Sequence, residues 1–347
     1  MRLVFVTDTL CSGGAERVIS ILANYFGEKY DTVIVCLRKR DVFYDIRKNV
    51  EIVQSDDFAH GLIGKAIWLR HYFRKDDVII PFMVKVYCVV LLALLGKKQF
   101  IVASERNDPR TTEIQWKILR RLLFPKLSAL IVQSQAIKDY FPQKYKNKIS
   151  IILNPVEIAQ CSSKPWSRDS KLVLAIGRTD VQKNYPMMIR AFNRLRQIYP
   201  DYRLEIWGSR NEKDFLLQSL IDDLGASESI SIHGRTNEVC ELYASAYMFV
   251  MSSNYEGLSN ALIEAMCSSL PTISTKVSGA IDIINDKENG LLVDIGDEEG
   301  LYCAIKKLID EPLFAEKLSV NAKKTSLLFD KNKICSQWEN VINDLLL

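Results

Sequence analysis

The chain has 347 residues, 48% of them hydrophobic and 25% charged, which are globular values with room for two domains of ordinary size. Its eight cysteines, at 11, 36, 88, 161, 240, 267, 303 and 335, form no C-x-x-C pair and no His/Cys ligand spacing, which argues against a disulfide framework or a zinc site and for reduced thiols in the cytoplasm. The formal net charge of +4 is uneven: residues 1 to 165 carry 26 Lys+Arg against 16 Asp+Glu, a net of +10, and the remainder carries a net of −6.

The chain opens on "RLVFVT", an apolar run that reads as a strand rather than as a leader segment. Behind it, "TVIVCL", "DVIIPF", "QFIVAS", "ALIVQS" and "ISIIL" repeat the pattern, with amphipathic segments such as "GAERVISILANYF" and "WKILRRLLF" between them. Such alternation predicts a parallel sheet with crossover helices. The longest apolar run, "VYCVVLLALLG" at 86 to 96, is too short to span a bilayer and reads as a buried helix. "NPVEIAQCSSKPWSRDSK" then breaks the pattern with prolines, serines and charges, as a domain linker does.

A second alternation follows, with strands at "KLVLAIG", "YRLEIWG", "ISIHG", "MFVMSS", "PTIST" and "GLLVDI". Helices are predicted near 185–198, 211–224, 237–243 and 259–268. The reading is therefore an α/β chain of two doubly wound domains, 1–160 and 166–330, each with its strand carboxyl ends toward a central cleft. A terminal helix at 331–347 packs back on the first domain. In such sheets ligands bind just beyond the strand carboxyl ends.

Three places there carry chemistry. After "KLVLAIG", the loop "GRTDVQKN" holds Arg178 and Lys183, two cations suited to a diphosphate or, alternatively, to surface ion pairs. In "SNYEGLSNALIEAMCSSLPTIS", Glu256 precedes a helix capped by Ser259 or Asn260, and Glu264 lies more than one turn inside it. Glu264 is either an exposed helix glutamate or a carboxylate offered to the hydroxyls of a sugar. Near the start, Gly13 and Gly14 of "TLCSGGAER" open a helix whose amides suit a phosphate. This is neither G-x-G-x-x-G nor a Walker loop.

Taken together, "SGGAER", "NPV", "GRTDVQKN", "IHGRTNEV" and the E-x7-E segment resemble family 4 of the retaining, nucleotide-sugar-dependent glycosyltransferases, which have the GT-B fold of two Rossmann-like domains. The resemblance implies that Arg178 and Lys183 hold the donor diphosphate and that Glu264 holds the ribose. It places Glu256 on the transferred sugar, beside the amides of Gly257, Leu258 and Ser259. It sets Gly234 and Arg235 near the base, and has Gly13 and Gly14 close the donor site from the first domain. The donor is a substrate, expected to be a UDP-sugar. Neither a metal nor another cofactor is implied, since two cations stand where a metal would and no Asp-x-Asp follows a strand.

The sequence departs from the family pattern in two places. Where relatives carry a histidine after an N-domain strand, "FIVASERNDP" offers Glu105 and Arg106 as possible sugar or acceptor contacts; His60, His71 and His233 do not stand in for it. Where relatives have Gly-Gly and Glu, "KVSGAIDII" has Ser278, Gly279 and Asp282. Relatives with "SERNDP" and "SGGAER" are similar to bacterial enzymes that build surface glycans on lipid carriers, often from N-acetylhexosamine donors. The expected partners are thus a nucleotide sugar, a lipid-linked glycan acceptor and an anionic membrane surface on the inner face of the cell membrane. Lys117, Arg120, Arg121 and Lys126 would make that last contact, unless their helix is a core helix with one basic face. Two further readings stand beside this one: an epimerase of the same fold, and a non-catalytic nucleotide-sugar-binding subunit of a glycan assembly complex. A nucleic-acid partner is not expected, because no recognition motif accompanies the charge.

Overall fold

The computed structural model describes residues 1–157, 166–208 and 214–346. They form two compact units, Met1–Pro155 with Lys331–Leu347, and Val156–Asp330. The expected linker falls in part on 158–165, which lies outside the described residues, as do Cys161 and residues 211–213 of one expected helix.

Unit 1 runs β1 (Arg2–Thr7), α1 (Gly14–Phe26), β2 (Asp31–Cys36), β3 (Val50–Gln54), α2 (Gly61–Tyr72), β4 (Asp77–Pro81), α3 (Val84–Ala93), β5 (Phe100–Ser104), α4 (Ile114–Leu123), β6 (Ala129–Val132), α5 (Gln135–Tyr140) and β7 (Ile149–Ile151). The strands make one parallel sheet in the order β3-β2-β1-β4-β5-β6-β7. Helices cover both faces, so central strands are buried on both sides and read as unbroken Val/Ile runs. The edge strand β3 did not stand out in the sequence, because "VEIVQ" is half-exposed and carries the exposed Glu51. The apolar run at 86–96 falls largely in α3, which is buried along most of its length.

Unit 2 runs β8 (Leu172–Ile176), α6 (Tyr185–Leu195), β9 (Arg203–Trp207), α7 (Asp214–Asp223), β10 (Ile230–His233), α8 (Val239–Ser245), β11 (Met248–Met251), α9 (Asn260–Cys267), β12 (Thr272–Thr275), α10 (Ala280–Ile283), β13 (Leu291–Val293), α11 (Glu298–Asp310) and α12 (Pro312–Thr325). Its parallel sheet has the order β10-β9-β8-β11-β12-β13. The chain then returns to unit 1 as α13 (Lys331–Asp344). There Trp338, fully buried, lies parallel to the ring of Phe82 at 5.7 Å, and Glu339 takes hydrogen bonds from Lys29 and Tyr30.

Each sheet reverses its winding once, between β1 and β4 in unit 1 and between β8 and β11 in unit 2. That reversal opens a crevice at the strand carboxyl ends, the usual ligand position in doubly wound sheets. No helix among the described residues is long and apolar enough to cross a membrane.

Candidate active site

In unit 2 the crevice lies between the loop after β8 and the turn after β11. Gly177 follows β8 because a Cβ there would sit 2.6 Å from Lys183 Cε and 2.9 Å from the Tyr185 hydroxyl. The bare glycine lets the rest of its loop fold back over it. Asn184 then takes a left-handed conformation, φ 49°, and Pro186 starts α6 in the first turn, where its missing N–H costs nothing.

Five hydrogen bonds stitch this loop to the turn after β11. Asn254 N–H donates to Gln182 O at 2.7 Å, and the Asn254 amide to Val181 O at 2.8 Å. The Gln182 amide donates to Tyr255 O at 3.0 Å, the Asn184 amide to Asn254 Oδ1 at 3.1 Å, and the Ser252 hydroxyl to Lys183 O at 2.8 Å. Thus fixed, Lys183 Nζ donates to Glu256 Oε1 at 2.7 Å, with side chains only 12% and 11% exposed. Ser253 Oγ donates to the same carboxylate oxygen at 3.1 Å, and Thr275 Oγ1 holds the Ser253 carbonyl at 2.6 Å. The sequence proposed Lys183 and Glu256 separately; the structure brings them into contact.

Arg178 behaves differently. Its side chain is 63% exposed, with Nε 3.3 Å from Asp180 Oδ2 and Nη2 3.3 Å from Gln182 Oε1. It lies at the open rim of the crevice, able to swing toward an anion. Behind the pair, the buried Tyr185 hydroxyl has no hydrogen-bond partner among the described residues. Burial, with Glu256 nearby, pushes its phenol far above the ordinary range, so it stays protonated as a fixed donor. Sequence reading missed Tyr185, Ser253, Gln182 and Asn254, whose roles depend on contacts across the crevice.

Glu264 lies on α9, whose N-cap Ser259 accepts from Leu262 N–H at 3.5 Å. Its carboxylate is buried, with the Tyr243 hydroxyl 3.2 Å from Oε2. The alternative of an exposed helix glutamate is therefore wrong. Gly257, Leu258 and Ser259 form the turn into α9, and the turn at Ser278 and Gly279 packs directly on it. A Cβ at Gly279 would lie 1.9 Å from Gly257 O, so glycine is required there by close backbone approach. Gly234 and Arg235 follow β10 and are exposed, and Asp282 is exposed on α10. His233 ends β10, stacked on Trp207 at 4.2 Å.

In unit 1, Gly13 caps α1, and its N–H donates to the Tyr44 hydroxyl at 3.0 Å. A Cβ on Gly13 would meet Glu16 Oε2 at 2.2 Å, so glycine leaves room for that carboxylate at the helix start, next to Gly14. Glu105 requires a correction. It is fully buried, with Oε2 2.9 Å from the Tyr87 hydroxyl and 3.3 Å from Arg120 Nη1, so it is a core ion pair and not a sugar or acceptor contact. Burial raises its carboxyl pKa, outweighing the attraction of Arg120. The same pair removes Arg120 from the expected basic surface. Lys117 is half-buried and donates to Arg110 O at 2.7 Å, whereas Arg121 and Lys126 are exposed.

Arg106 points to the other face of the sheet. Its guanidinium carbon lies 5.0 Å from the Phe82 ring centroid and 5.4 Å from that of Trp338, and Nη1 donates to Asn154 Oδ1 at 2.8 Å. Burial pulls its pKa down to about 9, which leaves it charged at neutral pH. It ties β5 to α13 and to the "NPV" segment. Among the described residues, no group of three His, Cys, Asp or Glu side chains is placed to hold a metal ion.

Comparison with known proteins agrees with this geometry. The family described as "Glycosyl transferases group 1" matches residues 159–325. The lipopolysaccharide core biosynthesis glycosyltransferase LpsE of Rhizobium meliloti is 32% identical over 90% of both chains. The chain belongs to the group 1 glycosyltransferases. This glycosyltransferase is also 28% identical, over 99% of both chains, to an alpha-1,4-N-acetyl-D-galactosaminyltransferase of Campylobacter jejuni named for an acceptor on diphospho-undecaprenol. Its fold matches that of Anabaena Alr3699/HepE in complex with UDP and glucose, with a TM-score of 0.84 and 19% identity over 99% of this chain and all of that one. Both units of this glycosyltransferase are thus those of the GT-B fold.

Proposed function

We propose that this glycosyltransferase moves a hexose or N-acetylhexosamine from a UDP-sugar, with retention of configuration, to a lipid-linked glycan acceptor. The observation that carries this reading is the Lys183–Glu256 contact of 2.7 Å at the winding reversal of unit 2. An apposed cation and carboxylate there match the two ends of a nucleotide sugar's reacting bond. Lys183 turns to the diphosphate when it enters, and Arg178 comes in from the rim as the second cation. As the bond from the anomeric carbon to the diphosphate breaks, negative charge grows on the leaving oxygen, and preorganised cations stabilise it. Glu256, held by Ser253, faces the electron-poor sugar. Glu264 takes hydrogen bonds from the ribose hydroxyls, and the Gly234–Arg235 turn borders the base. Two cations do the work a metal would do, so no metal is required.

Support for the donor comes from the UDP complex of the HepE structure, and for the acceptor from the diphospho-undecaprenol named for the Campylobacter relative. The outer side of unit 1 fits a lipid-linked acceptor. On α4, Ile114, Ile118 and Leu122 recur every four residues and are 72%, 55% and 70% exposed, with Arg121 exposed beside them. Leu62, Ile63 and Ile67 are exposed on α2. An apolar ridge edged by cations suits the membrane–water interface, which supports a peripheral position on the cytoplasmic leaflet.

The test is release of UDP or GDP from a panel of nucleotide sugars, with and without undecaprenyl-diphosphate-linked glycans, in EDTA. Acceptor-dependent UDP release in EDTA is expected. Release without acceptor as the sole activity, or epimerised donor as product, would replace this reading.

A further inference from the structure

A cavity of about 430 Å³ opens on unit 1 at the edge opposite Glu105 and Arg106, where strands begin rather than end. Its rim carries Lys75 from the turn before β4, Lys97 and Lys98 from the stretch between α3 and β5, and Lys126 from the turn before β6. Its floor includes Leu91 and Leu94 of the α3 terminus, both buried. These strands are neighbours in the sheet, so four cations from three loops line one recess. Among the described residues, no carboxylate lines it. The nearby Asp77 is turned inward and paired with Arg2 at 2.7 Å.

Four lysines around the recess, one of which, Lys97, also donates from Nζ to the Arg70 carbonyl at 2.5 Å, make it electropositive, and an anion matches that charge. Phe100, 42% exposed, gives the recess an apolar side, which fits an anion that carries hydrocarbon. Continuity with α4 strengthens this: the exposed ridge Ile114, Ile118 and Leu122 runs to the end of the helix, and the turn that follows it carries Lys126 on the cavity rim. A free phosphate would use the lysines and leave Phe100 and the ridge in water.

We propose that this cavity binds the phosphate headgroup of an anionic phospholipid, and that ridge and cavity together set unit 1 on the membrane. The inference rests on the membrane reading of α4 and adds a headgroup site to it. Each cation near an anionic leaflet contributes about 1 kcal/mol, so removing four lowers partition by about a hundredfold or more.

The experiment is flotation of the full-length protein with vesicles of phosphatidylcholine alone or with a minor fraction of phosphatidylglycerol, at equal ionic strength. Three variants are compared: K75Q/K97Q/K98Q/K126Q at the cavity, I114S/I118S/L122S on the ridge, and R40Q/K48Q/K138Q/K144Q as a charge-matched control in unit 1. The expected result is that phosphatidylglycerol strengthens binding of wild type and control. The cavity variant should lose that increment but still float weakly with neutral vesicles, and the ridge variant should lose neutral binding. If the cavity variant keeps the full increment while the ridge variant still fails, the headgroup site is wrong and the membrane reading stands. If the control loses as much as the cavity variant, only net charge matters and the site is again wrong. If wild type floats with neither vesicle, both readings fall. Millimolar inorganic phosphate that abolishes the increment at constant ionic strength would also overturn the proposal, by making the cavity a soluble-anion site.

Discussion

The two units share a strand order around their winding reversals, yet they treat charge in opposite ways. In unit 2 the residues after β8 and β11 bring Lys183 and Glu256 together inside a crevice, held in place by hydrogen bonds between the two loops. In unit 1 the residues after β5 turn charge inward: Glu105 meets Arg120 and Tyr87 in the core, and Arg106 lies against Phe82 and Trp338. Its exposed face offers apolar residues on α2 and α4 instead. One sheet topology thus supports a polar crevice in one unit and an exposed apolar surface in the other, because loops and helix faces, not strand order, decide where charge goes.

The comparison is broken most forcefully by opening the buried pair of unit 1. Arg120→Ala removes the cation that faces Glu105 in the core, leaving the Tyr87 hydroxyl beside that carboxyl, and should destabilise that unit by about 3–5 kcal/mol. Chemical denaturation followed by tryptophan fluorescence should show this loss, with Glu105→Gln in the same background recovering part of it. Equal stability of Arg120→Ala and wild type would make the pair a surface feature.

Next in size is the unit 2 pair. Lys183→Ala should lower turnover by about a hundredfold or more, as does removal of one preorganised donor. Arg178→Ala should do less, about tenfold, because its exposed side chain must be recruited to the anion. Steady-state rates on the same acceptor check both, and an Arg178 effect exceeding that of Lys183 would place the decisive cation at the rim.

A smaller effect is expected at Glu264. Glu264→Gln keeps the shape of α9 but weakens acceptance from the ribose hydroxyls, by about 1–2 kcal/mol for a charged hydrogen bond. The expected sign is a higher KM for the donor with kcat nearly unchanged. A fall in kcat alone would move Glu264 from binding to chemistry.

Smallest is the stability effect of the α4 ridge. I114S/I118S/L122S removes exposed side chains, so the unfolding free energy should move by no more than about 0.5 kcal/mol per site. Transfer to a lipid-linked acceptor should nevertheless drop more than transfer to a soluble short-chain analogue. Equal drops on both acceptors would show that the ridge serves the fold and not a membrane.

Much of this was legible in the chain. A strand buried on both faces must be apolar throughout, so β1, β2, β4 and β8 were visible as Val/Ile runs. The half-exposed β3 was not, and α11 and α12 went unread although Asp297 caps the first and Pro312 opens the second. The loop positions of Arg178, Lys183 and Glu256 followed from the strand ends alone. Their contact did not, since nothing local says that residues 183 and 256 meet.

Glu105 shows the limit most clearly. The sequence places it one residue past β5, where a side chain can turn toward a ligand or into the core. In the fold the ladder runs on by one residue, with Glu105 N–H donating to Ile131 O at 2.9 Å. Side chains alternate along a strand, so Glu105 turns to the face of Tyr87 and Arg120, and Arg106 to that of Phe82 and Trp338. The sequence by itself determined the class of fold, the two units and which residue types stand at the strand ends. Only the tertiary structure decided which of those charges is buried and which is offered, because that choice depends on partners 15 to 232 positions away along the chain.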